Sequence, residues 1–201
     1  ASSTILVKDD RKGGLQSELA AFSDLGLTSG LKSNVDNEIE IIKSRTVVEK
    51  AVKKLGFNIG YYANARVKEV ELYRDKPLEF LFFNEKEVFF EKSKVFEIQI
   101  LNASTFQLYK DEKSVGKHKF GEKIKLEDSE LVVYNKQPKK YDASKNNGYR
   151  IEVNNIKNVV QSYKGKLGIA PISKNSSVVE LTLTDPIKEK AEDFINTVID
   201  I

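Results

Sequence analysis

The chain has 201 residues, 40% of them hydrophobic, with no cysteine and no methionine, and 33 Lys and Arg against 30 Asp and Glu give a formal net charge of +3. A chain of this length buries roughly 70% of its unfolded surface, so one domain with a sizeable insertion, or two small domains, is expected without any covalent staple. The missing cysteines exclude disulfides, thiolate nucleophiles and cysteine-held zinc or iron–sulfur centres, and charges of both signs spread along the chain do not point to nucleic acid. The lack of any methionine leads us to expect an excised or processed segment beginning at Ala1. No apolar run approaches the length of a bilayer span, so a membrane anchor is expected outside these residues.

Ser3 to Lys8 is short, apolar and β-branched, which predicts a strand. Leu15, Leu19 and Phe22 recur at helical spacing after Gly13-Gly14, and Gly26 to Ser33 reads as a polar loop. Ser33 and Asp36 form a capping-box pattern. They open one long predicted helix, with Val35, Ile39, Ile42, Val48, Val52 and Leu55 as its apolar stripe and Gly56 as its stop. Ile42 and Val48 are accordingly expected in the core. Tyr61 to Lys76 mixes aromatic and basic residues without a period, and its conformation stays open.

From Pro77 to Tyr134 the period changes to two. Phe96, Ile98 and Ile100 alternate with Glu97 and Gln99, and several short strands separated by turn residues imply a β-rich module. Asn135 to Asn147 reads as an exposed loop. Thereafter the pattern predicts a strand at Tyr149 to Val153, a helix on Ile156, Val159, Val160 and Tyr163, and strands at Leu167 to Ile172 and Val179 to Leu183. A last helix opens at Asp185-Pro186 and carries Ile187, Ala191, Phe194, Ile195 and Val198 on its apolar face. The expected fold class is α/β: a mixed-sheet base domain with flanking helices, formed by 1–76 plus 148–201, interrupted by a β-rich insertion over 77–147.

Few arrangements for catalysis are available. His118 is the only histidine, which excludes a paired-histidine metal site. Between Lys117 and Lys119 it is expected in an exposed turn, where positive neighbours make it a poor base. Gly26-Leu27-Thr28-Ser29-Gly30 imitates a nucleophile elbow but follows a predicted helix instead of a strand, and neither Gly116-Lys117 nor Gly165-Lys166 belongs to a phosphate-binding loop. Asp9-Asp10 reads as a pair of helix-entry charges, not an acid/base pair. No catalytic, cofactor-binding or metal residue is assigned. Two stretches interleave rings with cations, a pattern suited to single-stranded nucleic acid or an anionic sugar polymer. One holds Tyr134, Tyr141, Tyr149, Lys136, Lys139, Lys140, Lys145 and Arg150, for which a solvated loop is the plainer reading. The other supplies the candidate sugar contacts Tyr61, Tyr62, Arg66, Tyr73 and Arg74, which could equally meet a neighbouring subunit.

Two segments resemble one family. Asn37-Glu-Ile-Glu-Ile-Ile-Lys-Ser-Arg-Thr-Val-Val-Glu-Lys50 with Leu55-Gly56, and Pro171-Ile-Ser-Lys-Asn-Ser-Ser-Val-Val-Glu-Leu-Thr-Leu-Thr-Asp-Pro186 with Ala191 and Asn196, are similar in order and separation to the Wzz/Wzc-type polysaccharide co-polymerases. The series Phe96-Glu-Ile-Gln-Ile, Phe106-Gln-Leu, Gly116-Lys and Phe120-Gly-Glu122 is closer to the β-rich insertion of the tyrosine-autokinase branch than to the helical arm of simple chain-length determinants. The resemblance implies a non-catalytic periplasmic domain of a bacterial inner-membrane protein that takes part in capsule or exopolysaccharide chain-length control and export. It implies two flanking membrane helices, a ring-like homo-oligomer, and work beside the polysaccharide polymerase and, in the autokinase branch, an outer-membrane exporter. Any kinase activity would belong to a cytoplasmic part of the parent chain. Lys43, Arg45 and Glu49, polar positions on the long helix, are candidates for the oligomer interface. The alternatives are a carbohydrate-binding module of a cell-envelope protein and a hydrolase or lyase whose carboxylate pair is assembled only by the fold.

Overall fold

The computed structural model describes residues 1–7, 29–64, 69–83, 89–137, 148–173 and 176–201. The predicted helix on Leu15, Leu19 and Phe22, the Asp9-Asp10 pair and the loop core at 138–147 lie outside the described residues. The fold is mixed α/β, and the chain divides into two units, residues 1–55 with 160–201 and residues 56–159.

The first unit is built on three antiparallel strands in the order β1 (Ser2–Leu6), β12 (Val178–Thr182), β11 (Gly168–Pro171). Period-two alternation fixes the register: Ile5 lies opposite Val179 and Ser3 opposite Leu181, with Val179 and Leu181 fully buried while Glu180 and Thr182 face outward. The expected pairing of the first strand with the C-terminal strands is therefore present, but every strand pairing among the described residues is antiparallel, where a mixed sheet was expected. At its start the chain exchanges two main-chain hydrogen bonds with its own C-terminal segment, Ala1 N–H to Leu183 O at 2.9 Å and Leu183 N–H to Ala1 O at 3.0 Å.

The predicted long helix is two helices, α1 (Ser29–Ile42) and α2 (Arg45–Leu55). The break is capped: Val47 N–H donates to Ser44 Oγ at 3.3 Å, so Ser44 starts α2 as an N-cap. Ser33 lies inside α1, which begins at Ser29 within the expected loop. Val48, Ala51 and Val52 are fully buried on α2, whereas Ile42, at the end of α1, is only half-buried. Gly56 closes α2 with φ +62°, the left-handed conformation that glycine adopts without strain. Helix α4 (Lys188–Ile199) packs against α2 and β1, burying Ala191, Phe194, Ile195 and Val198. Asp185 acts just ahead of it: its Oδ1 accepts from Ile187 N–H at 3.0 Å and its Oδ2 from Tyr163 Oη–H at 3.3 Å. Tyr163, on α3 (Ile156–Lys166), stacks on Phe194 with ring centroids 4.7 Å apart.

The second unit contains two antiparallel sheets around one aromatic core. The larger runs β3 (Glu69–Leu72), β2 (Ile59–Asn64), β10 (Gly148–Val153), β5 (Lys94–Ile100), β6 (Thr105–Lys110), β7 (Lys113–Lys119). The smaller runs β4 (Leu78–Phe83), β9 (Glu130–Asn135), β8 (Lys123–Lys125). Phe80, Phe89, Phe96 and Phe106 are buried together with Ile98, Leu108, Leu131 and Ile151, and Phe80 meets Phe96 across the sheets at 5.9 Å. A short 3-10 turn, Phe89–Glu91, adds Phe89 to this core.

The domain boundary falls at 55/56 and 159/160, not at 76/77 and 147/148. Strands β2, β3 and β10 belong to the insertion because β10 pairs with both β2 and β5. The aperiodic stretch after Tyr61 hid that pairing. Entry and exit of the unit lie side by side, with Val153 opposite Ile59 and Asn154 N–H donating to Asn58 O at 2.7 Å.

Candidate functional site

Alternation along β2 separates the neighbouring tyrosines. Tyr61 points into the core, where its hydroxyl accepts from Phe80 N–H at 3.2 Å and burial raises its pKa. It is a structural residue, not an accessible sugar contact. Tyr62 faces outward with its ring across Gly60, whose absent side chain makes the room: a Cβ there would come within 2.9 Å of the ring. Tyr73 lies beyond β3 in an edge contact with Phe57, ring centroids 5.7 Å apart, and Lys76 Nζ stands 4.4 Å from the Tyr61 ring centre. Arg74 is exposed, and Arg66 lies outside the described residues. The five candidate sugar contacts thus do not assemble into one surface among the described residues.

The outer face of the larger sheet assembles a different group. Register places Glu71, Tyr62, Arg150, Glu97 and Tyr109 in one row across β3, β2, β10, β5 and β6. Gly148 and Gln99 are paired in the neighbouring row. Arg150 organises the face. Its guanidinium stands 4.6 Å from the Tyr62 ring centre and donates to Glu69 Oε1 from Nε at 2.9 Å, to Glu69 Oε2 from Nη2 and to Glu152 Oε1 from Nη1.

The electrostatics follow from these contacts. The hydrogen bonds from Arg150 hold the Glu69 carboxyl below its usual range, and those from Glu69 and then Glu152 hold the Arg150 proton more tightly still. Burial first, and then the carboxylates of Glu71 and Glu152, push the Tyr62 phenol up to about 12. A carboxylate tied to a guanidinium is a poor proton donor at neutral pH, so this network fixes side chains in place and does not act as an acid/base pair.

Beside it lies a groove of ≈150 Å³ lined by Glu69, Glu97, Gln99, Tyr109, Gly148 and Arg150, with Ile98 and Tyr149 at its base. Glu97 and Gln99 are exposed and Tyr109 is half-buried, and among the described residues none of the three side chains has a hydrogen-bond or ion-pair partner. The alternation of Phe96, Ile98 and Ile100 already placed Glu97 and Gln99 on the outer face. Their meeting with Arg150 required the β5–β10 pairing, which no local pattern reveals.

Other expected positions separate in the same way. His118 is within β7, not in a turn, because the β6–β7 hairpin turns earlier, at Asp111 and Glu112, both with positive φ. Its ring is mostly buried beside Phe106, with Nδ1 3.6 Å from Glu122 Oε1. The ring–cation stretch around Tyr134 does not form one series: Tyr134 is exposed on the smaller sheet, Lys136 pairs with Glu79 at 3.0 Å, and Tyr149 and Arg150 lie on opposite faces of β10. Tyr141, Lys139, Lys140 and Lys145 lie outside the described residues. On α2, Glu49 sits between Arg45 at 3.9 Å and Lys53 at 2.6 Å, and Lys43 occupies the break before it.

Among the described residues no helix is long and apolar enough to cross a membrane. No family model matches the chain, and no curated protein matches it. Crystal structures of Xanthomonas campestris FlgL in two space groups align with 70% of the chain at 13% identity and a TM-score of 0.26. The alignments cover 40% and 39% of the FlgL chains, and a likeness of this order carries no argument about function.

Proposed function

We propose that this chain is the non-catalytic periplasmic domain of a bacterial inner-membrane polysaccharide co-polymerase of the Wzz/Wzc type, taking part in chain-length control, assembly and export of capsule or exopolysaccharide. One observation carries the reading: the two family-like segments, far apart in sequence, meet in one folded unit. The first supplies the start of α2 with Val48, and the second supplies β12 and the lead into α4, which packs on α2. The β-rich module between them is in keeping with the autokinase branch, in which phosphoryl transfer is carried out by a cytoplasmic part of the parent. Its partners on this reading are further copies of itself in a ring, the membrane polymerase and an outer-membrane exporter.

Arg45 offers the test. Its exposed pair with Glu49 is worth ~0–1 kcal/mol, so reversing its charge leaves the fold intact while altering any interface it joins. A free chain meets the full entropic cost of association, whereas membrane tethering raises the effective concentration of neighbours. Light scattering should therefore find the isolated chain monomeric or weakly associating and the detergent-solubilised parent assembled. Arg45→Glu in the parent should weaken assembly and shift the length distribution of the polymer. A monomeric parent that still supports normal polymer length would overturn the proposal.

A further inference from the structure

The groove on the outer face of the larger sheet has the composition of a ligand site, and we propose that it seats one uncharged pyranose unit of a glycan. Its volume, ≈150 Å³, is below the ~300–1,000 Å³ typical of pockets that enclose a drug-sized ligand, so it suits a single ring. Gly148 lines the groove between Gln99 in its own row and Arg150 in the next. Around it Glu97 offers acceptors, Gln99 both donors and acceptors, and Tyr109 a hydroxyl. Among the described residues none of these three polar ends has a partner, while Arg150 and Glu69 are locked together. A polyol, with donor and acceptor on every hydroxyl and apolar C–H faces, matches such a mixed set.

Charge narrows the class. The lining carries two carboxylates, Glu69 and Glu97, against the single guanidinium of Arg150, which Glu69 and Glu152 already neutralise. A uronate or phosphate meets net repulsion here. The choice of a glycan over other neutral ligands rests on the co-polymerase reading, whereas the location of the groove does not.

The test is a titration of the ¹⁵N-labelled chain with maltohexaose, cellohexaose and chitohexaose, and with oligogalacturonate as the anionic comparison. At least one neutral oligomer should shift amide signals centred on Gln99, Tyr109 and Gly148, and oligogalacturonate should not. Tyr109→Ala and Gln99→Ala should each weaken that binding about tenfold, while Tyr134→Ala, on the other sheet, leaves it unchanged. Gln99 is exposed, so its variant remains informative if Tyr109→Ala fails to fold. The proposal is overturned if no neutral oligomer shifts these residues, if the shifts centre elsewhere, if oligogalacturonate binds equally well, or if the folded variants bind like the parent sequence. Those failures leave the assembly and polymer-length experiment untouched, so loss of the sugar site and loss of the co-polymerase reading are separate results.

Discussion

Removing the carboxylate of Asp128 should destabilise the insertion more than removing the lysine it neutralises. Lys94 is buried, its Nζ donating to Phe89 O, lying 4.2 Å from the Phe89 ring centre and 3.4 Å from Asp128 Oδ2. Lys110 reaches Asp128 Oδ1 at 3.2 Å, so one anion serves two cations. At an effective dielectric of about 20, each contact has a gross attraction of ~5 kcal/mol, most of it offset by desolvation. Asp128→Asn leaves two ammonium groups facing each other, one of them buried, and should cost ~2–4 kcal/mol. Lys94→Met keeps the Lys110–Asp128 pair and fills the same space, for about 1 kcal/mol.

The double variant should cost less than the sum of the two. Burial works against the Asp128 charge, but the hydrogen bond and charge of Lys110, followed by those of Lys94, hold its pKa below the usual value. The depressed value means that this stabilisation is present above the ordinary carboxylate pKa of ~3.9 and is lost as pH falls through the lower folded value. Urea unfolding followed at amide signals of β5 and β9, at pH 7 and on acidification, reads both effects. If Asp128→Asn is the milder variant, or if its acid sensitivity equals that of the parent sequence, the two-cation account is wrong.

Two further outcomes are expected. Val48→Ala should cost ~2–3 kcal/mol because the side chain is fully buried, while Ile42→Ala at the half-buried end of α1 should cost only about 1 kcal/mol; unfolding midpoints in the reverse order would refute the burial assignment. The Tyr62 phenol should titrate at about 12, seen as the difference in alkaline phenolate absorbance between the parent sequence and Tyr62→Phe. Because the folded value is raised, stability tied to the neutral phenol is complete below pH ~10 and falls as pH rises through about 12. A difference midpoint near 10 would show that the ring is not held as described.

Local pattern carried most of the elements. Period two marked β5, β6 and β12, and the helical period marked α2, α3 and α4, because each buries one face and exposes the other. The break between α1 and α2 was also readable in retrospect. Val48 lies six positions after Ile42, an offset that a 3.6-residue period places on a different face, and Ser44 is a good cap between them. Pairing was much less legible. That β10 leaves the base and joins β2 and β5 depends on contacts between strands distant in sequence, so the boundary and the meeting of Arg150 with Glu69 and Glu97 were hidden together. Tyr61 and Tyr62 show the limit at the scale of one residue: composition grouped them, while the pleat sent one into the core and the other to the surface.

The two main-chain hydrogen bonds between Ala1 and Leu183 bear on the order in which the chain can fold. Ala1 must wait for Leu183, just after β12, so the base cannot close until the chain between them is available. The insertion has no such dependence. Residues 56–159 are continuous and their ends are joined by the β2–β10 ladder, so they are able to form a sheet first. Once that ladder exists, Asn58 and Asn154 are neighbours, and the distance along flexible chain that Ala1 must close is shortened by the whole module. A closed insertion thus acts as a short connection between the two halves of the base that it separates in sequence.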